Sequence, residues 1–275
     1  MEVSISNIAW DIKLDDDVAA LLNRYAVKNI DIAPPKYFPS PESTTEQEIL
    51  QVKNHWLQRG ISIIGMQSLL FGTTGLNVFS NYAVQQEMLL HLSHIFRIAQ
   101  QLNAKKMVFG SPRNRDCSHL NEQETLAVAV DFFSRLGNIA QSYGVTICLE
   151  PNPNCYNCNF MTNSLETSCV VALVDHPNIK MQLDVGAMFI NNEDPNLIIP
   201  KVAHLIAHIH ISEPQLAVLN PSNNYHALVA RLINKYLPDK TITIEMLTSG
   251  ENTTLDEIEK SLEFVAKTYR RESCL

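Results

Sequence analysis

The sequence predicts an α/β fold: a closed (β/α)8 TIM barrel folding as one domain over residues 1–275. Three observations carry this reading. Eight short apolar runs, each long enough for a strand, are followed by stretches with helical periodicity, the pattern of a closed parallel barrel. No Gly-rich phosphate turn follows the first run, as an open doubly wound sheet built for a dinucleotide would show. No low-complexity linker divides the chain, and α/β barrels of roughly 250 residues fold as one unit.

Val3 to Ala9 reads as the first strand, and Asp15-Asp16-Asp17 opens a helix to about Tyr25, with negative charge at its positive end. Asn29 to Ala33 is the second strand, closed by Pro34 and Pro35. Ser43-Thr-Thr-Glu46 has the form of a capping box before a helix that runs to Arg59 and stops at Gly60. Ile61 to Gln67 is the third strand, and a loop with Gly72 and Gly75 leads to a long helix, Tyr82 to Leu102. Lys106 to Gly110 is the fourth strand, followed by Ser111 to Arg115 and a helix from about Glu122 to Tyr143. Val145 to Glu150 is the fifth strand, stopped by Pro151. Ile179 to Leu183, Ile206 to Ile211 and Thr241 to Met246 are the last three strands. Helices over Ser164–Val174, Pro195–Ala203, Tyr225–Tyr236 and Leu255–Arg270 fill the remaining gaps.

The chain is 45% hydrophobic and 18% charged, which argues for a full core and against disorder. A net charge of −8 argues against a nucleic-acid partner, because phosphate contacts need clustered Lys and Arg. No apolar run approaches the roughly 20 residues needed to cross a bilayer, so no membrane partner is expected. The start, Met1 to Ile8, lacks a basic and apolar leader. Six cysteines, at 117, 148, 155, 158, 169 and 274, are too sparse for a disulfide scaffold, and reduced thiols in a cytoplasm are the simplest expectation. Cys155-Tyr-Asn-Cys158 has CxxC spacing without a second pair to complete a zinc site, and reads as two loop thiols. The oligomeric state stays open, a homodimer being one option.

The late strands carry the chemistry. Side chains alternate between the faces of a strand. On the fifth, Thr146, Cys148 and Glu150 share the face opposite Val145, Ile147 and Leu149. Gln182 and Asp184, His208 and His210, and Thr243 and Glu245 form the polar faces of the next three. Each polar face bears its strongest ligand at or near the carboxyl end, where barrel active sites lie. Glu150, Asp184, His210 and Glu245 therefore converge on one rim. Three carboxylates and an imidazole in a pocket are costly to bury without a cation. One divalent ion resolves that cost. The donor set suits Mn²⁺, Mg²⁺, Fe²⁺, Co²⁺ or Zn²⁺ without choosing among them.

Arg113 and Arg115, after the fourth strand, have the fork geometry that suits a phosphate or carboxylate on a small carbohydrate, with a loop salt bridge as the competing role. Lys36 is a weaker anion contact. Trp10 and Phe71 could stack on a sugar face or simply pack the rim. Asn7, Gln67 and Asn152 are candidate partners for substrate hydroxyls.

At these residues the chain resembles the xylose isomerase-like barrel superfamily, which includes ketose 3-epimerases, hydroxypyruvate isomerases, inosose dehydratases and zinc-dependent apurinic endonucleases. The resemblance covers nearly the whole chain. It rests on Leu149-Glu-Pro-Asn152, Gln182-Leu-Asp-Val-Gly186, His208-Ile-His-Ile-Ser-Glu213 and Ile244-Glu-Met246, in matching order and spacing. Ser6 to Trp10, Asp31 to Pro34 and Gly110 to Arg115 resemble a subgroup described as sugar phosphate isomerase/epimerase. The resemblance implies that Glu150, Asp184, His210 and Glu245 hold the metal. It also implies that Glu150 and Glu245 exchange a substrate proton beside a metal-held carbonyl, through an enediolate. Glu213 falls where members hold groups just outside the ligand set. Three positions depart from the resemblance: Ala187 stands where many members carry a histidine, and Tyr156 and Leu216 stand where the epimerases have a substrate-binding glutamate and an arginine. The function expected is a metal-dependent isomerase or epimerase of a small ketose or sugar phosphate. The alternatives are a dehydratase of a keto-polyol on the same site and, less favoured, an apurinic endonuclease or a non-catalytic sugar-binding barrel.

Overall fold

Eight parallel strands close on themselves in chain order, with β1 (Val3–Ser6) hydrogen-bonded to both β2 (Asn29–Ile32) and β8 (Ile242–Ile244). The structure, a computed structural model, describes residues 1–220, 222 and 224–270; Cys274 lies outside them. Between these run β3 (Ser62–Met66), β4 (Lys106–Phe109), β5 (Thr146–Leu149), β6 (Ile179–Asp184) and β7 (Ile206–Ile211). This is the closed barrel the alternating pattern predicts. Six of the strands are shorter than the apolar runs suggest, while β7 keeps its expected bounds and β6 runs one residue further, to Asp184. Asn7–Ala9 is a turn of 3₁₀ helix whose cap, Ser6, accepts from the Ile8 N–H, so β1 stops at Ser6.

The helices cover the outer faces: α1 (Asp15–Arg24), α2 (Glu46–Leu57), α3 (Tyr82–Leu102), α4 (Glu122–Ser142), α5 (Ser164–Val174), α6 (Val185–Ile190), α7 (Pro195–Val202), α8 (Asn224–Tyr236) and α9 (Thr254–Thr268). Their inward stripes bury large side chains, among them Trp56 on α2, Phe96 on α3 and Phe132 and Phe133 on α4. Each such burial is worth roughly 1.5–3 kcal/mol in transfer free energy. The capping box of α2 is Thr45 with Glu48, two residues later than the Ser43–Glu46 pair the sequence offers first. Both pairs fit the same signature, but the Ser43 amide and hydroxyl are bound to the Ser40 carbonyl in a turn. The short helix α6 was not expected. It follows β6 directly because Asp184 caps it, accepting from the Ala187 N–H.

Register sets the height of the functional residues. Asp184 pairs with His210 across β6 and β7. Glu150 follows Leu149 with its amide on the Phe109 carbonyl, and Glu245 follows Ile244 with its amide on the Ile211 carbonyl. All four side chains thereby leave the barrel at one level.

Candidate metal centre and pocket

The four rim residues meet as the strand ends predict. Glu150, Asp184, His210 and Glu245 each offer one ligand atom, all within 4.8 Å of one another. His210 is fully buried, and its Nδ1 lies 3.2 Å from Glu150 Oε1, 3.2 Å from Glu245 Oε2 and 3.8 Å from Asp184 Oδ2. Neither nitrogen of that ring is placed to form a hydrogen bond, and Glu150 Oε1 has no hydrogen-bond partner either. Buried polar atoms without partners are rare and need a cause. A divalent cation among them supplies one, and three oxygens with one imidazole nitrogen suit such an ion.

The electrostatics agree. Burial, then the charges of Glu245 and Glu150, push the Asp184 carboxyl up to about 8. Burial works against charge on His210, but the Glu245 charge and its contacts with Glu150 and Glu245 hold the imidazole well above its ordinary range. Burial would also raise Glu245, yet the charge of His210, its contact and the Gln67 amide keep that carboxyl below its usual value. The raised Asp184 and His210 favour protons that reduce the negative charge of the cluster. An ion would displace them.

Supports surround the four clustered residues. Gln67 Nε2 donates to Glu245 Oε1 at 2.7 Å, Asn152 Nδ2 donates to Glu150 Oε2 at 3.4 Å, and Ser212 Oγ donates to Asp184 Oδ1 at 3.1 Å. Gly110 leaves the space that Glu150 Oε2 fills, since a Cβ there would overlap that oxygen. Beneath the ligands lies a second buried group, in which His208 Nε2 meets Asp31 Oδ2 at 2.7 Å and His208 Nδ1 donates to Gln182 Oε1 at 2.7 Å. Thr243 on β8 and Ser4 on β1 donate to Asp31. Asp31, His208 and His210 also bring ligand atoms together. Since Asp31 and His208 have internal partners, this layer is a support for the ligand set above it.

A cavity of about 550 Å³ opens over the cluster and takes in Glu150, Asp184 and Glu245. That is an ordinary size for a small-molecule site. Of the other residues singled out from the sequence, Gln67, Asn152, Glu213 and Phe71 line it. Glu213 is held from behind by His226, whose Nε2 lies 3.2 Å from Glu213 Oε1 while its Nδ1 meets the Tyr269 hydroxyl at 2.6 Å. Asn7, Trp10, Lys36, Arg113 and Arg115 are not in the wall. The Asn7 side-chain oxygen accepts from the Ala33 amide, and the Trp10 indole donates to Asp15 at 2.8 Å. Lys36 Nζ donates to the backbone carbonyls of Asn7 and Trp10. Arg115 is fully buried and donates to the Glu150 carbonyl at 2.8 Å, while Arg113 is exposed beside the cavity mouth's Pro112 in sequence.

Sequence reasoning missed Ile8, Leu69, Leu70, Pro112 and Gln215, which also line the cavity. A loop residue, apolar or polar, has no periodicity to show which way it points, so nothing in the sequence marks them. Tyr156, Ala187 and Leu216, the three departures from the resemblance, are all in the wall.

Fold and site together define a parallel TIM barrel with a carboxylate–imidazole cluster, able to hold a metal ion, on its carboxyl rim. The chain belongs to the xylose isomerase-like TIM barrel family, whose model matches residues 24–268. No curated protein matches it. Among solved structures, D-psicose 3-epimerase from Clostridium cellulolyticum H10, determined with D-tagatose, is 15% identical with a TM-score of 0.82, covering 98% of this chain and 100% of the other. A D-allulose 3-epimerase from Methylomonas sp., in complex with D-allulose, is 18% identical with a TM-score of 0.78 over 98% and 97%. An E. coli 3-keto-D-glucoside 4-epimerase is 12% identical with a TM-score of 0.76 over 95% and 98%. At these identities the likeness speaks for the fold. No helix among the described residues is long and apolar enough to cross a membrane.

Proposed function

We propose that this protein is a divalent-metal-dependent isomerase or epimerase of a small keto sugar, with Glu150 and Glu245 trading the proton on the carbon beside the carbonyl. The observation that carries the reading is the His210 Nδ1 at 3.2 Å from both glutamates, with no hydrogen bond to either. Glu150, Asp184, His210 and Glu245 would hold the ion. When bound, it would act as a Lewis acid, lowering the barrier to loss of a proton next to the carbonyl by several kcal/mol. The two glutamates follow β5 and β8, the outermost of the four strands that bring the cluster together, so each would approach a substrate from its own side. One takes the proton and the other returns it. The lowered Glu245 carboxyl suits the base that starts ionised, and Gln67 fixes the direction of its other oxygen. The names of three structural neighbours, a D-psicose 3-epimerase, a D-allulose 3-epimerase and a 3-keto-D-glucoside 4-epimerase, support the same class of reaction.

The test is solvent exchange. With a keto sugar and Mn²⁺ in deuterated water, deuterium should enter the carbon beside the carbonyl. Uptake should disappear with a chelator and fall at least about a thousandfold in Glu150→Gln or Glu245→Gln. Turnover without exchange, or exchange indifferent to the chelator, would sink the proposal. Loss of one water from the substrate would instead identify a dehydratase.

A further inference from the structure

Arg115 is a fully buried cation that takes no part in the proposed proton transfer. It ends the 3₁₀ turn Pro112–Arg115 after β4, and that turn is pinned to the loop before α3. Asn114 Nδ2 donates to the Leu76 carbonyl at 2.7 Å, and the Val78 amide donates to the Asn114 carbonyl at 2.8 Å. Ser111 Oγ donates to Asn114 Oδ1 at 2.6 Å. The guanidinium is thus carried on a fixed support.

Its partners are few. Nη1 donates to the Glu150 main-chain carbonyl at 2.8 Å, while Nε and Nη2 are buried without a hydrogen bond. The ion pairs among the described residues engage Arg24, Arg59 and Arg135 but not Arg115. A buried charge left without a partner costs several kcal/mol, so something must offset this one. Burial pulls the guanidinium below its ordinary range, and the groups that oppose this are Cys158 and Glu150. Cys158 gives its thiol proton to the Phe160 carbonyl at 3.2 Å, which leaves Glu150 as the acid of the pair.

Around Glu150 the imbalance has the opposite sign. Glu150, Asp184 and Glu245, set against one divalent ion, leave one negative charge over. Among the described residues no lysine or arginine lines the cavity above them. Gly110 and Arg115 grip Glu150 at its two ends, one leaving room for Oε2 and the other holding the carbonyl. Resting on the reading of the four-residue cluster as a metal site, we infer that Arg115 is the built-in counter-charge of that site. It is a fixed cation on the Glu150 main chain that brings three carboxylates and a divalent ion to neutrality. Since it acts through Glu150, it is a positioning residue. The consequence is selectivity by charge: a trivalent ion overshoots neutrality beside a guanidinium that cannot shed its proton.

Competitive titration with Mn²⁺ and Tb³⁺, read by terbium luminescence, tests this on the wild-type protein, Arg115→Lys and Arg115→Met. Losing the grip on Glu150 weakens both ions alike, whereas losing the charge favours the trivalent ion, so the ratio of affinities isolates the charge. In Arg115→Met the Tb³⁺-to-Mn²⁺ ratio should rise about tenfold or more, and Arg115→Lys should keep it near the wild-type value. A ratio unmoved by Arg115→Met, or moved as far by Arg115→Lys, overturns the inference. Denaturant unfolding of the metal-free protein gives a second reading that needs no ion. Glu150→Gln combined with Arg115→Met should lose clearly less stability than the two single losses added, and simple additivity would also overturn the inference. Arg115→Met folding only when Glu150→Gln accompanies it would be that coupling in its strongest form. Failure of the wild-type protein to bind either ion sinks the metal reading and the inference together, whereas binding with an unmoved ratio sinks the inference alone.

Discussion

At the residue scale the site depends on side chains that touch no ligand themselves. Gly110 is the clearest case. Its missing Cβ is the space occupied by Glu150 Oε2, so Gly110→Ala must turn that carboxylate away from the cluster. The expected result is a loss of Mn²⁺ affinity of about 10–100-fold, the usual cost of disturbing a group that orients a ligand, while the fold is kept. Titration of the variant checks this, and unchanged affinity would show that Glu150 is not a ligand. The four clustered residues were legible in the sequence, because a charged residue ending an apolar strand is costly and four of them share one rim. Their neighbours were not. Arg113, Arg115, Lys36 and Trp10 follow strands just as the ligands do, but loop side chains have no alternation to fix their direction. Arg115 turns inward to cap a carbonyl; Trp10 turns to Asp15.

At the scale of elements, packing overrides local preference. Gly137 lies in the middle of α4, where Ala is ordinarily better by roughly 0.5–1 kcal/mol. Here a Cβ would sit 2.6 Å from Nδ1 and 2.7 Å from Cγ of His176, a ring held by bonds to Asn138 and to the Asn178 amide. Overpacking of that kind costs about 1–3 kcal/mol, so Gly137→Ala should lower stability. A drop in melting temperature of a few degrees is expected, and His176→Ala in the same chain should recover most of it. A rise in the single variant would mean that the ring moves aside freely. The eight strands and most helices could be read because each keeps one periodicity for several residues. Helix α6 escaped notice because Val185-Gly-Ala-Met-Phe-Ile190 is apolar all round, so its helical period carries no contrast. Its start signal, Asp184, is present in the sequence, but the same carboxylate also fits a metal-holding rim.

For the whole molecule, the cluster ties stability to pH and to metal. Asp184, pushed up to about 8, and His210, also raised, hold protons in the folded protein that the unfolded chain releases at lower pH. Unfolding then releases protons, and the metal-free protein loses stability as pH rises from about 4 towards 8. Glu245, held low, has the opposite sign, and its contribution fades only as pH falls below the usual carboxylate range. Bound metal replaces those protons, so affinity grows with pH, and an ion at about one hundred times its Kd adds about 2.7 kcal/mol. Denaturant unfolding across this window, with and without Mn²⁺, should show a falling curve that the ion flattens or reverses. Asp184→Asn should remove part of the fall. A metal-free curve that rises with pH would contradict the arrangement.

The layer of Asp31, His208, Gln182 and Thr243 under the ligands has a consequence for how such a barrel can change. It is tied together by strands alone, drawn from β2, β6, β7 and β8, and takes nothing from the loops above. The rim loops thus form an exchangeable collar on a fixed hearth. Grafting a different set after β3, β5 or β7 would re-cut what the protein accepts while the buried strand layer stays as it is.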